Sequence, residues 1–177
     1  VTVNDLNVVS ANNFSSAAPN SVVHLIDGLL MAPDQNIVEI AIEFANSSSP
    51  EFTQLVAAVV RADLAGTLSG DGPFTVFAPT DAAFQDLYDA LGVSGVDEID
   101  IPTLTAVLLY HVVPARVFST DLASGPVSTL NGTVTVDVAT LTLDDSGSPD
   151  QANLIPSLLD VQGTNGVVHV IDKVLLP

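Results

Sequence analysis

Three histidines and two acidic clusters are the side chains in this sequence whose types and spacing could do chemistry. His24 and His169 each sit inside a run of Val, Leu and Ile, and His111 follows Tyr110 at the end of the apolar run Ala106-Val107-Leu108-Leu109. Nucleophilic catalysis would need an imidazole beside an activated hydroxyl or thiol. There is no cysteine, and the serines cluster in loops without a Gly-x-Ser-x-Gly elbow. No His-x-x-x-His or His-Glu pattern suggests zinc. The acidic groups are Asp97-Glu98 with Asp100, and Asp144-Asp145 with Asp150. Neither has the alternating carboxylates, central Gly and closing Glu of an EF-hand, so both read as solvated loops, with weak Ca²⁺ binding as the alternative. The expectation is a chain with no catalytic residues, no metal site and no cofactor.

The segments that hold these residues repeat. Ser21–Leu30 aligns with Gly166–Leu175, six of the ten positions are identical, and the two copies reach Pro33 and Pro177. His24 and His169 occupy the same place in the two copies. Residues 1–33 therefore read as the tail of a preceding domain, and residues 34–177 as one complete unit. An orphan tail with apolar strands at Val22-Val23 and Leu25-Ile26 is expected to pack on the complete unit or to drive self-association through residues 1–33.

Within the complete unit, Ile37, Ile40, Ala41 and Phe44 recur at helical spacing over Gln35–Phe44. Ser49 and Pro50 suit the N-cap and first position of a second helix with the stripe Phe52, Leu55, Val56, Val59 and Val60. Phe74–Ala78 alternates as a strand, and Thr80 or Asp81 can cap a helix through Leu91. Another helix opens at Pro102 and runs through Leu109. Val112–Phe118 returns to strand character. Val127–Leu130 and Thr133–Val138 flank Asn131-Gly132, the pair favoured in a type I′ hairpin turn. Leu154–Val161 and Val167–Leu175 read as closing strands. The fold class is α+β, with helices from the first half packed on a β-sandwich or wedge from the second.

Charge narrows the partners. The chain of 177 residues carries 21 acidic groups against three basic ones, a formal net charge of −18. Binding to nucleic acid or to an anionic membrane needs clustered Lys and Arg and is excluded as a function class. No apolar run approaches the ~18 residues of a membrane-spanning helix. The first residue is Val1, which leads us to expect a processed piece whose leader or anchor lies outside it. Three N-x-S/T sequons, at Asn13, Asn46 and Asn131, matter only in a eukaryotic secretory pathway.

Gly72-Pro73-Phe74-Thr75-Val76-Phe77-Ala78-Pro79-Thr80-Asp81-Ala82-Ala83-Phe84 resembles the first conserved box of fasciclin domains. The run from Gly166 to Pro177 resembles the second box, and Tyr110-His111 sits where that family has its Tyr-His motif. The resemblance covers residues 34–177. It implies a β-wedge with helices, found in secreted or surface-attached proteins that bind cell-surface or matrix proteins or glycans without catalysis. It also implies a partner-contact region at Tyr110 and His111. Packing with one polar tip satisfied is the plainer reading of that pair. Phe77, Thr80, Asp81, Phe84, His169 and Asp172 are expected to serve the structure: Thr80 and Asp81 as helix-end acceptors, Phe77 and Phe84 as core, and His169 as a neutral imidazole between two backbone groups. Small-ligand or Ca²⁺ binding and a spacer role in a longer surface protein are the alternatives to adhesion, and hydrolysis is the weakest reading.

Overall fold

The order of elements in the computed structural model follows the switch from 3.6-residue to two-residue periodicity along the chain. It describes residues 2–3, 6–15, 18–26, 33–145 and 150–177, and the side chains of residues 1–32, His24 among them, lie outside the described residues. The chain divides into two compact units, Val1–Ala32 and Pro33–Pro177. In the first, strands β1 (Thr2–Val3), β2 (Leu6–Ser15) and β3 (Ala18–Ile26) form an antiparallel sheet in that order.

The second unit opens with helices α1 (Ile37–Ala45), α2 (Thr53–Arg61) and α3 (Ala65–Leu68). Strand β4 (Phe74–Pro79), helix α4 (Asp81–Leu91), helix α5 (Ile101–Tyr110) and the short strand β5 (Val112–Val113) follow. Strands β6 (Gly125–Thr129), β7 (Gly132–Asp137), β8 (Thr142–Asp144) and β9 (Ala152–Asn153) make one four-stranded antiparallel sheet. Strands β10 (Val161–Gly163) and β11 (Gly166–Ile171) join β4 and β5 in the other, ordered β10-β11-β4-β5.

Central strand β11 is buried at every position and runs parallel to β4, with Gly166 beside Phe74 and Ile171 beside Pro79. Burial on both faces explains why the strand is apolar apart from His169. One face of this sheet, with Ala78, Val168 and Val170, packs against the helices. The other, with Phe77 and Ile171, packs against Val134, Val136 and Leu143 of the second sheet. The result is a two-sheet wedge with helices on one side. Gly166 is required at its position: a Cβ there would lie 2.5 Å from the Phe74 carbonyl oxygen.

Five expectations are corrected. Helix α2 does not start at Ser49-Pro50. Its N-cap is Phe52, held at φ 65° with no side-chain cap of its own. The capping group arrives from 28 residues away, because Asp81 accepts from Thr53 N at 3.2 Å, Thr53 Oγ1 at 2.7 Å and Gln54 N at 2.8 Å. Glu51 Oε1 in turn accepts from Asp81 N at 2.6 Å, so the starts of α2 and α4 cap each other. Thr80 caps α4 itself, accepting from Ala83 N at 3.1 Å.

The strand read over Val112–Phe118 stops at Val113. Beyond Pro114 the backbone is held by side chains in place of a ladder: Thr75 Oγ1 donates to Ala115 O at 2.6 Å and accepts from Val117 N at 2.9 Å. The hairpin lies where Asn131-Gly132 marked it, but its loop is Leu130-Asn131, with Thr129 paired to Gly132. Asn131 is drawn off by α5, donating from Nδ2 to Ala106 O at 3.0 Å. Gly132, at φ 142°, takes the contact with Tyr110, whose Cε2 lies 2.9 Å from where a Cβ would sit. The run Leu154–Val161 is broken by a 3₁₀ turn at Pro156–Leu158, as Pro at its first position favours, and β11 ends at Ile171, short of Leu175.

Asn165 does more than turn the β10–β11 hairpin. It is 6% exposed. Its Oδ1 accepts from Ile37 N at 3.0 Å, and its Nδ2 donates to Leu68 O and Gly70 O at 2.8 and 2.7 Å. One amide thereby fixes the start of α1 and the end of α3 against β11.

Removing the Asp81 carboxylate leaves two N–H groups and a hydroxyl unmet. We expect Asp81→Ala to cost about 2–3 kcal/mol and Thr80→Ala about 1 kcal/mol in urea unfolding. A double-mutant cycle with Thr53→Ala should give a coupling above about 0.5 kcal/mol; additive losses would show that Asp81 does not cap α2.

Candidate functional site

Tyr110 and His111 end helix α5 and enter β5, where the two cores of the wedge meet. Both are buried, each 2% exposed. Tyr110 donates from its hydroxyl to Thr133 O at 2.7 Å. His111 Nδ1 lies 2.8 Å from Val107 O, and Nε2 accepts from Leu175 N at 2.9 Å. A carbonyl can only accept, so the proton is on Nδ1. Neither side chain reaches solvent, and each polar tip is hydrogen-bonded to backbone inside the domain. What the surface shows here is the hairpin tip that Tyr110 holds, with Leu130 42% exposed.

His169 is fully buried on β11 and takes the opposite tautomer. Its Nε2 lies 2.9 Å from Val117 O, and its Nδ1 accepts from Asp160 N at 3.2 Å. Together with Thr75 it supplies the bonds that hold the 114–118 segment across the sheet. The Phe77 ring lies 6.0 Å from the imidazole, and Phe84 is buried on α4 among the helices. Asp172 clamps β9, accepting from Asn153 N at 2.6 Å and from Asn153 Nδ2 at 2.8 Å.

Ser119, Asp160 and His169 stand together, a trio that sequence spacing did not suggest. Ser119 donates its hydroxyl to Asp160 Oδ2 in a short bond, and its N–H to Asp160 Oδ1 at 2.7 Å. The carboxylate therefore lies between the hydroxyl and the imidazole. A hydrolytic triad needs the imidazole next to the hydroxyl, to take its proton. Here both ring nitrogens of His169 are committed to backbone groups.

Four members of the acidic clusters have partners within the domain. Asp100 caps α5, accepting from Thr103 N at 3.0 Å, and the Thr103 backbone and side-chain hydrogen bonds hold its carboxyl below the usual range. Asp97 faces Arg61 at 3.6 Å. Asp150 faces Lys173 at 3.1 Å, and Asp145 accepts from Leu176 N at 2.8 Å. Residues 146–149 of the acidic loop lie outside the described residues. No three His, Asp or Glu side chains converge as a metal site among the described residues, and among them no helix is long and apolar enough to cross a membrane.

The family model for the Fasciclin domain matches residues 50–177. This chain belongs to the fasciclin family. It is 40% identical to Protein sll1483 of Synechocystis over 146 residues, covering 80% of this chain and 73% of that protein. It is 31% identical to human periostin over 180 residues, covering all of this chain and 20% of periostin. Its fold is similar to a FAS1 domain pair from the insect cell adhesion molecule Fasciclin I, at TM-score 0.64 and 20% identity, over 97% of this chain and 60% of that one. As a fasciclin-domain protein the chain is a non-catalytic interaction module, α+β in fold.

The two described histidines give the fasciclin unit a defined pH response. Burial lowers the pKa of His111 to about 4, outweighing the Val107 hydrogen bond. Burial likewise lowers that of His169, against the Val117 hydrogen bond. Unfolded histidine protonates near 6.5, so the unfolded chain takes up protons first as the pH falls. The stability from these neutral rings is fully present above about pH 6.5 and is lost as the pH falls toward 4. We expect urea unfolding at pH 5 to show about 2 kcal/mol or more less stability than at pH 7, where most carboxylates are still ionised in both states. The difference should shrink in His111→Gln, and a flat profile between pH 5 and 7 would contradict the buried, neutral assignment.

Proposed function

We propose that this chain is part of an extracellular or cell-surface adhesion protein built from fasciclin domains in tandem, and that it binds protein or glycan partners through its surface. The observation that carries the reading is how far the comparisons extend. The Fasciclin model begins at residue 50, yet periostin and the Fasciclin I domain pair are matched over essentially the whole chain. Fasciclin I is an insect cell adhesion molecule. On this reading, residues 1–33 are the closing segment of one fasciclin domain, and residues 34–177 are the next domain. The repeat of Val22-Val23-His24 in Val167-Val168-His169 and the division of the chain at Ala32 support that boundary.

The contact region of the complete domain is the hairpin tip at Leu130-Asn131. Tyr110 acts beneath it as a positioning residue, through the Thr133 carbonyl and the space left by Gly132, and His111 fixes the end of α5 that carries Tyr110, through Val107 and Leu175. The tip is exposed, and it carries an apolar side chain on a rigid support, which is what a recognition point needs. Self-association through residues 1–33 belongs to the same proposal; a light-scattering mass equal to one chain at high concentration would remove that part.

Arrays of the chain on beads should bind whole cells or immobilised matrix proteins or polysaccharides saturably. Leu130→Asp should weaken that binding at least tenfold while leaving the unfolding midpoint within error of wild type. Unchanged binding by the variant would move the contact away from the hairpin, and no binding by the wild type would end the adhesion reading.

A further inference from the structure

One place in the second unit departs from close packing. Beneath α1, between α2 and the sheet β10-β11-β4-β5, lies a cavity of about 90 Å³. Ile37, Ile40, Leu55, Val59, Leu68 and Val168 line it, and its wall is hydrocarbon. His111 also borders it, but both its ring nitrogens are bound to backbone. A void this apolar stays dry and leaves its lining without dispersion partners on one side.

The mouth of the cavity is apolar as well. Ile42 of α1 is 41% exposed and Val60 of α2 is 64% exposed, and both belong to the lining. Two large apolar side chains left in water at the entrance to an unfilled apolar space are a combination that an occupant would relieve at both points. Helix α1 above it is tied at its ends, by Asn165 to Ile37 N and by Glu51 N to Phe44 O at 3.2 Å. Its middle spans the cavity.

The lining, the size and the charge define the occupant. An apolar void of about 150 Å³ admits benzene, and this one, about 90 Å³, is smaller but open at Ile42 and Val60, so it takes the first few carbons of a slender chain whose remainder lies over those two side chains. Glu39 and Glu43 are exposed on α1 on either side of Ile42, in a chain of net charge −18. An anionic head group is therefore disfavoured at the entrance. We infer that this cavity binds the hydrocarbon chain of a small uncharged amphiphile of the fatty-alcohol class, with the head group outside near Ile42 and Val60.

Methyl NMR of the whole chain, titrated with 1-hexanol, 1-heptanol, 1-octanol and sodium octanoate at neutral pH, tests the site. Saturable shifts are expected at the methyls of Ile37, Ile40, Leu55 and Leu68, with affinity rising about fourfold per added methylene. Octanoate should bind at least tenfold more weakly than octanol. Ala41→Leu, which places a larger side chain into the same space, should weaken octanol at least tenfold while the methyls of Val134, Val136 and Leu143 keep their positions. Ala65→Val serves the same purpose if that variant fails to fold. Shifts that do not saturate or that spread to the Val134 core overturn the inference, as does octanoate binding equal to octanol. Contacts from residues 1–32 to these methyls in the free chain would show that the cavity is filled by the protein itself, and would overturn it too.

Discussion

The parallel pairing of β4 with β11 is the constraint on which the rest of the complete unit depends. It joins residues 74–79 to residues 166–171 in register, so the first strand of the domain is completed only by the last. Each face of this pair serves a different core: Ala78 and Val170 meet the helices, while Phe77 and Ile171 meet the second sheet. The ends of the pair are fastened separately, by Phe74 N to Asn165 O at 3.0 Å and by Thr80 N to Ile171 O at 3.1 Å. The two sequence boxes that mark the family are thus the two halves of one physical object, and their separation in sequence is bridged by main-chain hydrogen bonds.

The polar residues of those boxes work at the margins of the pair. Thr75 and His169 point away from the helices and hold the 114–118 segment, where Pro114 prevents a ladder from continuing. Asp81, one residue past the capping position of α4, reaches sideways to cap α2. Asn165, at the turn before β11, fixes the N-terminus of α1. Each of these side chains satisfies backbone groups that regular structure leaves over, which is the usual demand on a buried polar residue. That demand also accounts for the interior partners of Tyr110 and His111: the Tyr110 hydroxyl donates to Thr133, and both ring nitrogens of His111 are bonded to Val107 and Leu175.

Much of this was legible in the sequence where the signal is local. The alternation of Phe74–Ala78, the apolar residues around His169 after Gly166, the helix marked by Pro102, which opens one residue earlier at Ile101, and the cap at Thr80 depend on residues within a few positions. The placement of His169 between two backbone groups followed from its mid-strand setting. The misreadings have the opposite character. Ser49-Pro50 is a sound local start signal, overridden because Asp81 offers a better cap from a distant segment and Phe52 is anchored in the core. Asn131-Gly132 is a sound turn signal, shifted by one residue because Ala106 and Tyr110 compete for its two members. The Ser119–Asp160–His169 cluster joins three segments, and only the fold brings them together.

The β4–β11 pairing has a consequence for how such a chain is made. A strand that closes the sheet from residues 166–171 is unavailable to β4 until those residues have left the ribosome, and long-range parallel pairing is slow even once both strands are present. Until residue 171 has been delivered, β4 must wait with its apolar faces uncovered, a condition that favours aggregation and the attention of chaperones. Biosynthesis of the domain is therefore a single late event, and a ribosome that stalls before β11 leaves a product without its central strand and not a smaller working module.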